Sequence, residues 1–303
     1  MDLTFLGKKA STLGKKLKTG LKLLLTGLAI FLVFRKIDTE ELWLITKSIH
    51  WFWLVPAMIL FVMSKVFTAL RLNLYFRNIG LNISEKLNFR LYLVGMFYNL
   101  FLPGGIGGDG YKIYLLNKNY KTSVKSLIQA SLLDRLGGLV AIVFLLLILV
   151  LPVDLVLPFE SQVPWEVLIV IASMLVFPSF WLVQKLFFKP FLPSFLKSNS
   201  WSMLGQISQL VCAVFILLAL GVEANFLAYQ LVFLLSSIVA VLPLTIGGVG
   251  ARELVFIYAH TYAGINEATA VAFSLIFFLI TALVSLTGAM IKVEFDEKIE
   301  SDL

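Results

Sequence analysis

The chain has few of the residues that build metal sites and disulfide frameworks. Its 303 residues include one cysteine and two histidines, and only 14% of them are charged. Cys212 has no partner for a disulfide, and His50 and His260 stand far apart with no ligand cluster around either. We therefore expect no metal site, no cofactor and no disulfide.

Apolar residues take the place of the missing charges. They make up 59% of the chain, against about 45–50% in soluble proteins, and the mean hydropathy is +0.93. Apolar runs of about 20 residues recur along the chain, and this length crosses the ~30 Å hydrocarbon core of a bilayer. The composition excludes a soluble domain and predicts an all-α polytopic membrane protein.

Two kinds of apolar segment can be distinguished. Segments 90–116 and 227–257 are interrupted by Pro-Gly clusters, whereas the others run without a break. Irregular backbone at membrane depth is tolerated only where it is buried in protein or lines a water-filled cavity. We therefore predict two broken re-entrant hairpins. The six predicted full transmembrane helices are 20–37, 51–71, 130–152, 165–184, 201–221 and 268–291.

The net charge of +7 indicates membrane topology rather than nucleic-acid binding, because the basic residues lie in short loops between apolar segments. Lys and Arg are enriched on the cytoplasmic side of membrane proteins. Segment 153–166 carries only acidic charges and is predicted to face outward, while loop 35–50 has mixed charges and fits neither side. The segments predicted to be cytoplasmic are 71–90, 112–125 and 185–197.

This topology places both termini in the cytoplasm, with a basic segment at 1–19 and a tail at 292–303 around one membrane domain at 20–291. The lysines of 1–19 alternate with leucines. They predict either an amphipathic helix on an anionic leaflet or a basic tail that only fixes orientation.

The two broken segments match each other. Residues 102–112 align without gaps on residues 242–252, and six of the eleven positions are identical. The same offset, which takes position 102 to position 242, brings span 20–37 near 165–184, makes 51–71 overlap 201–221 and places 130–152 on 268–291, so 20–152 and 165–291 form two repeats. Each half holds two spans, a hairpin and one span, so an odd number of crossings inverts one half relative to the other. Inverted repeats with broken helices are typical of transporters with the site at the repeat interface.

Helix packing is an alternative reason for the shared motif, since Gly104 and Gly108 form a GxxxG pattern. The functional interpretation is that glycine-rich backbone offers N–H groups to an anion. Charged residues inside apolar segments usually mark a pathway or a buried pair. The candidate substrate-binding residues of the first half are Arg71, Pro103, Gly104, Gly105, Gly107, Gly108, Asp109, Gly110, Lys112, Asp134 and Arg135. Those of the second half are Pro243, Gly247, Gly248, Gly250, Arg252 and Glu253.

Three motifs carry a family resemblance: LPGGIGGDGYKIYLL at 102–116, DRLGGL at 134–139 and LPLTIGGVGARELVF at 242–256. They resemble the transmembrane region of lysylphosphatidylglycerol synthases and of small flippase-like proteins in the same family. The resemblance implies movement of an anionic or aminoacylated lipid headgroup between leaflets. In bifunctional members a separate C-terminal domain makes the lipid. Because this sequence ends at Leu303, we expect a stand-alone member without that domain and without enzymatic activity.

The sequence therefore predicts a translocase in the inner cell membrane, with a membrane phospholipid or another amphiphile as its partner. Two other classes stay open. One is a membrane-embedded transferase that uses a lipid-linked donor, and the other is a membrane assembly partner that transports nothing. A homo-oligomer also stays open.

Overall fold

The computed structural model describes residues 47–101, 107–154, 164–241 and 251–295. These residues form α-helices and two short 3-10 helices, with no β-strand among them, which confirms the predicted all-α class. The α-helices are α1 (Leu54–Asn78), α2 (Glu85–Phe101), α3 (Gly107–Tyr120), α4 (Val124–Val150), α5 (Trp165–Phe187), α6 (Phe195–Ala219), α7 (Phe226–Val241), α8 (Ala251–Ala263) and α9 (Glu267–Met290).

Five helical segments within the described ranges are long and apolar enough to cross a membrane. They correspond to five of the six predicted spans, and the sixth, 20–37, lies outside the described residues. The chain is thus a multi-pass membrane protein. The five segments are Trp51–Asn78, Val124–Val150, Trp165–Phe187, Lys189–Ala219 and Glu267–Met290.

The predicted repeat appears in the limits of the helices. When the offset from 102 to 242 is applied to the limits of α1, it gives 194–218, and α6 occupies 195–219. The same shift takes α2 to 225–241, where α7 occupies 226–241, and α4 to 264–290, where α9 occupies 267–290. Both predicted broken segments are pairs of short helices, α2 with α3 and α7 with α8.

The two halves run in opposite directions. The side-chain amide of Asn78, at the end of α1, donates to the carbonyl of Phe191, just before α6, at 3.3 Å. At the other end the amide N–H of His50, before α1, donates to the carbonyl of Ala219, the last residue of α6, at 2.8 Å. Helices α1 and α6 are therefore antiparallel, as an inverted repeat requires.

Opposite charges collect at the two ends of the membrane domain. We call the end that contains Asn78 the basic end and the end that contains His50 the acidic end. The basic end includes Arg77, Lys118, Lys121, Lys125, Lys185 and Lys189. The acidic end includes Asp154, Glu166, Glu223 and Glu267. The first hairpin opens at the basic end and the second at the acidic end, because each starts and finishes there.

The contacts between the halves follow the same symmetry. Helix α1 packs along its counterpart α6, α2 packs on α9, and α7 packs on α4. The last two contacts are equivalent, since α2 corresponds to α7 and α9 to α4. This pairing indicates a pseudo-twofold axis between α1 and α6.

Two apolar cores lie toward opposite ends, and a polar layer separates them. On α1 the first core includes Phe61 and the second begins at Leu72. On α4 the last buried residue of the second core is Leu133, and the first core resumes at Ile142. Between these positions both helices also carry charged, polar and small residues, beside apolar ones that pack at the margins of the cores, such as Leu136 and Val140. The polar layer comprises Ser64, Lys65, Thr68 and Arg71 of α1 and Asp134, Arg135, Gly137 and Gly138 of α4.

Candidate anion-binding site

A buried ion pair joins α1 to α4 in the polar layer. Nε of Arg71 lies 2.7 Å from Oδ1 of Asp134, and the two side chains are 4% and 12% exposed. Nη1 of the same guanidinium donates to Oγ of Ser202 on α6 at 2.8 Å. The guanidinium lies close to the backbone of α4, since a Cβ on Gly138 would be in van der Waals contact with it at 3.5 Å. Arg71 thus ties both halves together.

Asp109 forms a second ion-pair group at the start of α3, in the first hairpin. Its Oδ1 lies 2.8 Å from Nζ of Lys112, and its Oδ2 lies 2.6 Å from Nη2 of Arg135. The Lys112 side chain is 7% exposed and that of Arg135 is 33% exposed. One carboxylate therefore holds two cations, of which Arg135 is the more accessible to a ligand.

Close backbone contact positions the helix that carries Asp109. A Cβ on Gly108 would lie 2.6 Å from the carbonyl carbon of Gly95 and would overlap the carbonyl oxygen, so at this position only glycine allows α2 and α3 to approach this closely. The N–H of Gly108 also donates to Oδ1 of Asn99 at 2.7 Å, which satisfies one of the free donors at the start of α3. The side chain of Lys112 passes directly over Gly95. A Cβ on Gly95 would lie 3.1 Å from Cε of Lys112.

These charged groups line one cavity of about 200 Å³. It contains three cations (Arg71, Lys112 and Arg135) and two carboxylates (Asp109 and Asp134), so its formal charge is +1. The remaining lining residues are Thr68, Tyr92, Gly95, Met96, Asn99, Gly138, Leu139, Ile142 and Gln206.

The cavity lies within the membrane and at the boundary of the halves. Arg71 is seven residues from the end of α1, and Asp134 is ten residues from the start of α4, which places them about 10–15 Å inside the basic end. Most of the lining comes from the first half, and α6 of the second half contributes Gln206. Cations so far inside hydrocarbon usually serve a pathway or a pair.

The structure brings together five of the predicted site residues, and it places others elsewhere. Arg252 lies against the rings of Phe233 and Phe277, and the carboxylate of Glu253 accepts a hydrogen bond from Ser274 at 2.8 Å. Neither residue is among those that line the described cavity. The predicted charged site is therefore divided between the two hairpins.

The predicted glycines also differ from one another. Gly108 is buried, whereas Gly110 is exposed and a Cβ there would meet open space. Gly107 begins α3 and is partly buried. The remaining predicted residues lie outside the described part of the chain, namely Pro103, Gly104, Gly105, Pro243, Gly247, Gly248 and Gly250.

Sequence reasoning missed the α2 side of the cavity. Tyr92, Gly95, Met96 and Asn99 line it, and their spacing of three, four and seven residues places them on one helical face. That pattern was present in the sequence. It was hidden because the four residue types, taken one at a time, are ordinary in a membrane helix.

A family model described as the lysylphosphatidylglycerol synthase TM region matches residues 20–288 of the chain. The match extends over both hairpins and nearly all of the five described spans. Comparison with curated proteins and with solved structures gave no match.

Proposed function

Because the chain belongs to the family of lysylphosphatidylglycerol synthase TM regions, we propose that it moves a phospholipid or another amphiphile with an anionic headgroup between the leaflets of the inner cell membrane. Membership in this family shows that the chain is a membrane protein of a lipid-related family. The headgroup assignment is supported by the cavity of about 200 Å³ with three cations and two carboxylates.

The cavity has one more cation than carboxylates, and this excess positive charge favours an anionic ligand. Arg and Lys are the residues that bind phosphate groups through charge-assisted hydrogen bonds. Arg71 is held in place by Asp134 and Ser202, so it serves as a fixed donor. Arg135 shares Asp109 with Lys112. A phosphodiester can therefore take the place of the Asp109 carboxylate on Arg135 while Lys112 keeps that carboxylate neutralised.

The same charges disfavour an aminoacylated headgroup, which is the other class that the family resemblance allows. Such a headgroup carries ammonium groups, and the cavity already holds more cations than carboxylates. Both carboxylates are engaged in ion pairs of 2.6 to 2.8 Å. A net-negative headgroup is the better partner.

The inverted halves support movement across the membrane. Their hairpins open at opposite ends, and α1 and α6 pack antiparallel between them. In transporters of this architecture one repeat rocks against the other around the site. The polar layer offers such a site, because it interrupts the apolar core of α1 and α4 near the middle of each helix.

The orientation is part of the proposal. Excess Lys and Arg at the basic end favours a cytoplasmic location for that end, and we propose the same location for both termini. A cysteine at Ser123 should then resist an impermeant maleimide in intact cells, whereas one at Glu166 should react. Both cysteines are introduced into the Cys212→Ala variant, so that each is the one thiol of its protein. Cys212 itself is buried. Reaction at Ser123 but not at Glu166 would reverse the orientation.

The test of function is translocation in proteoliposomes. Purified protein is reconstituted with fluorescent phosphatidylglycerol, and the label in the outer leaflet is quenched chemically. We expect Arg135→Gln to lower the rate about 10- to 100-fold, since it removes one charged hydrogen-bond donor worth roughly 1.5–3 kcal/mol. The variant should fold, because Asp109 keeps Lys112 as its partner.

Arg77→Gln is the matched control. It also removes an arginine from an ion pair, with Glu85, but the two side chains are 48% and 44% exposed at the basic end. Its rate should equal that of the wild type. Equal translocation rates for Arg135→Gln and the wild type would show that the headgroup does not bind in this cavity during translocation. Protein that folds but moves no lipid would instead favour the transferase or the assembly partner.

A further inference from the structure

Two embedded cations lie on one aromatic cluster at the second hairpin. Nζ of Lys65 is 4.4 Å from the ring centre of Phe61, and Cζ of Arg252 is 5.1 Å from that of Phe277. The two rings touch edge to face, with centres 5.6 Å apart. Arg252 also lies over Phe233, at 5.9 Å. A lysine of α1 and an arginine of α8 therefore share one set of rings.

Neither cation has an ion-pair partner within 4.0 Å among the described residues, unlike Arg71, Lys112 and Arg135. Glu253 follows Arg252 in the chain, but its Oε1 accepts a hydrogen bond from Ser274. A charge at membrane depth is costly unless it is paired or serves a ligand. Ring contacts compensate for part of this cost only.

The repeat shows what is missing from the second hairpin. In the alignment of 102–112 on 242–252, Arg252 corresponds to Lys112, whereas Val249 corresponds to Asp109. On the following helix the same offset makes Ser274 the counterpart of Asp134. The second half has kept the cation and carries neutral residues in place of both carboxylates. The carboxylate of Glu253 attracts Arg252 electrostatically, so two cations and one carboxylate leave a net charge of +1, which an anionic ligand would neutralise.

The start of α8 adds to the positive potential. Arg252 is the second residue of that helix, and a helix N-terminus carries a partial positive charge of about half a unit. Lys65 approaches from α1. It lies six residues before Arg71, a distance of about 9 Å along the helix axis and toward the acidic end.

We propose that Lys65 and Arg252 form a second anion-binding site, for a phosphate or phosphodiester group, deeper in the membrane than the first cavity. The inference rests on the proposed function, because the second site would receive the headgroup after Arg71 and Arg135 release it. The rings of Phe61, Phe233 and Phe277 hold the two cations in place while no ligand is bound.

Stability separates this role from a structural one. A buried charge without an ion-pair partner costs free energy, and an apolar residue of similar volume removes that cost. Lys65→Met and Arg252→Met should therefore unfold at the same temperature as the wild type or a few degrees higher. A structural cation–π role predicts the opposite, a lower unfolding temperature for both variants.

The binding test counts ligands. Full-length protein in detergent is titrated with dihexanoyl phosphatidylglycerol and examined by native mass spectrometry, with dihexanoyl phosphatidylcholine as the neutral lipid. We expect two anionic lipids on the wild type and one on Lys65→Met or Arg252→Met. Lys65→Arg and Arg252→Lys keep the charge and should keep two. Inorganic phosphate that competes would indicate a site for the phosphate group itself, and phosphate that does not compete would indicate a lipid headgroup.

Lys185→Met is the matched control. Lys185 also lies over an aromatic ring, 4.9 Å from that of Trp181, but both residues are exposed on α5. The Lys185→Met variant should bind two anionic lipids, as the wild type does. Two lipids on Lys65→Met and Arg252→Met, with translocation at the wild-type rate, would overturn the second site and leave the proposed function intact. Loss of one lipid from each variant, in a protein that translocates nothing, would keep the site and overturn the function.

Discussion

Replacing Gly108 with alanine is expected to destabilise the folded membrane domain strongly. The new Cβ would overlap the carbonyl oxygen of Gly95 and would lie 2.6 Å from its carbonyl carbon. Backbone atoms cannot rotate away as a side chain does, so α2 and α3 would have to separate. Overpacking a core costs about 1–3 kcal/mol, and occasionally more, and here we expect a cost at the upper end of that range. Thermal unfolding and size-exclusion chromatography in detergent measure the loss.

Gly110→Ala is the matched control for this prediction. Gly110 lies two residues further along α3, and a Cβ there would meet no heavy atom within 4 Å. Alanine is favoured over glycine inside a helix by up to about 1 kcal/mol, so this variant should be as stable as the wild type or slightly more stable. If Gly108→Ala matched it in yield and unfolding temperature, the close contact between α2 and α3 would be wrong.

The second large effect is expected for Asp134→Asn. The substitution keeps the shape of the side chain but leaves the charge of Arg71, which is 4% exposed, without its carboxylate. Breaking a buried ion pair by removal of one partner costs about 3–5 kcal/mol. We expect a correspondingly lower unfolding temperature, measured in detergent without added lipid.

The double variant Arg71→Met with Asp134→Leu separates folding from function. It removes both charges, and apolar replacements of a buried pair are often neutral or stabilising. Stability should return to the wild-type level, while translocation should stay at the background rate, since Arg71 is the fixed donor of the cavity. An Asp134→Asn variant as stable as the wild type would contradict the buried pair. A double variant that translocates normally would contradict the role of Arg71.

Much of the architecture could be predicted from the sequence, because bilayer thickness and hydropathy constrain it strongly. Predicted span 165–184 corresponds to Trp165–Phe187, and predicted span 268–291 corresponds to Glu267–Met290. The offset between the two motifs reappears in the helix limits, with α6 at 195–219 for α1 at 54–78. Apolar length and Pro-Gly interruptions are local signals, so they can be read from one chain.

The pairing of charges could not be predicted, because it depends on how helices face each other. The sequence places Asp134 beside Arg135 in the chain, yet Asp134 pairs with Arg71 and Arg135 pairs with Asp109. Neighbours in a helix point about 100° apart and rarely meet. The packing of Gly108 on Gly95 was likewise inaccessible, since the GxxxG pattern indicates a close contact without naming its partner.

The contacts of Lys65 could not be predicted from the sequence either. The sequence indicated only that it lies within the second predicted span. The structure places it on Phe61, whose ring is in contact with a ring that supports Arg252. Its partners belong to α1, α8 and α9, and no spacing within α1 specifies the last two.

The rate of headgroup movement by the wild-type protein tests the central claim most directly. Proteoliposomes that contain the protein are compared with empty liposomes of the same composition, using fluorescent phosphatidylglycerol, phosphatidylcholine and lysylphosphatidylglycerol in parallel. The surplus cation of the cavity predicts that phosphatidylglycerol equilibrates between leaflets at least about 10-fold faster than the other two, which corresponds to roughly 1.4 kcal/mol. Equal rates for all three lipids, or a rate for phosphatidylglycerol no higher than in empty liposomes, would contradict the account.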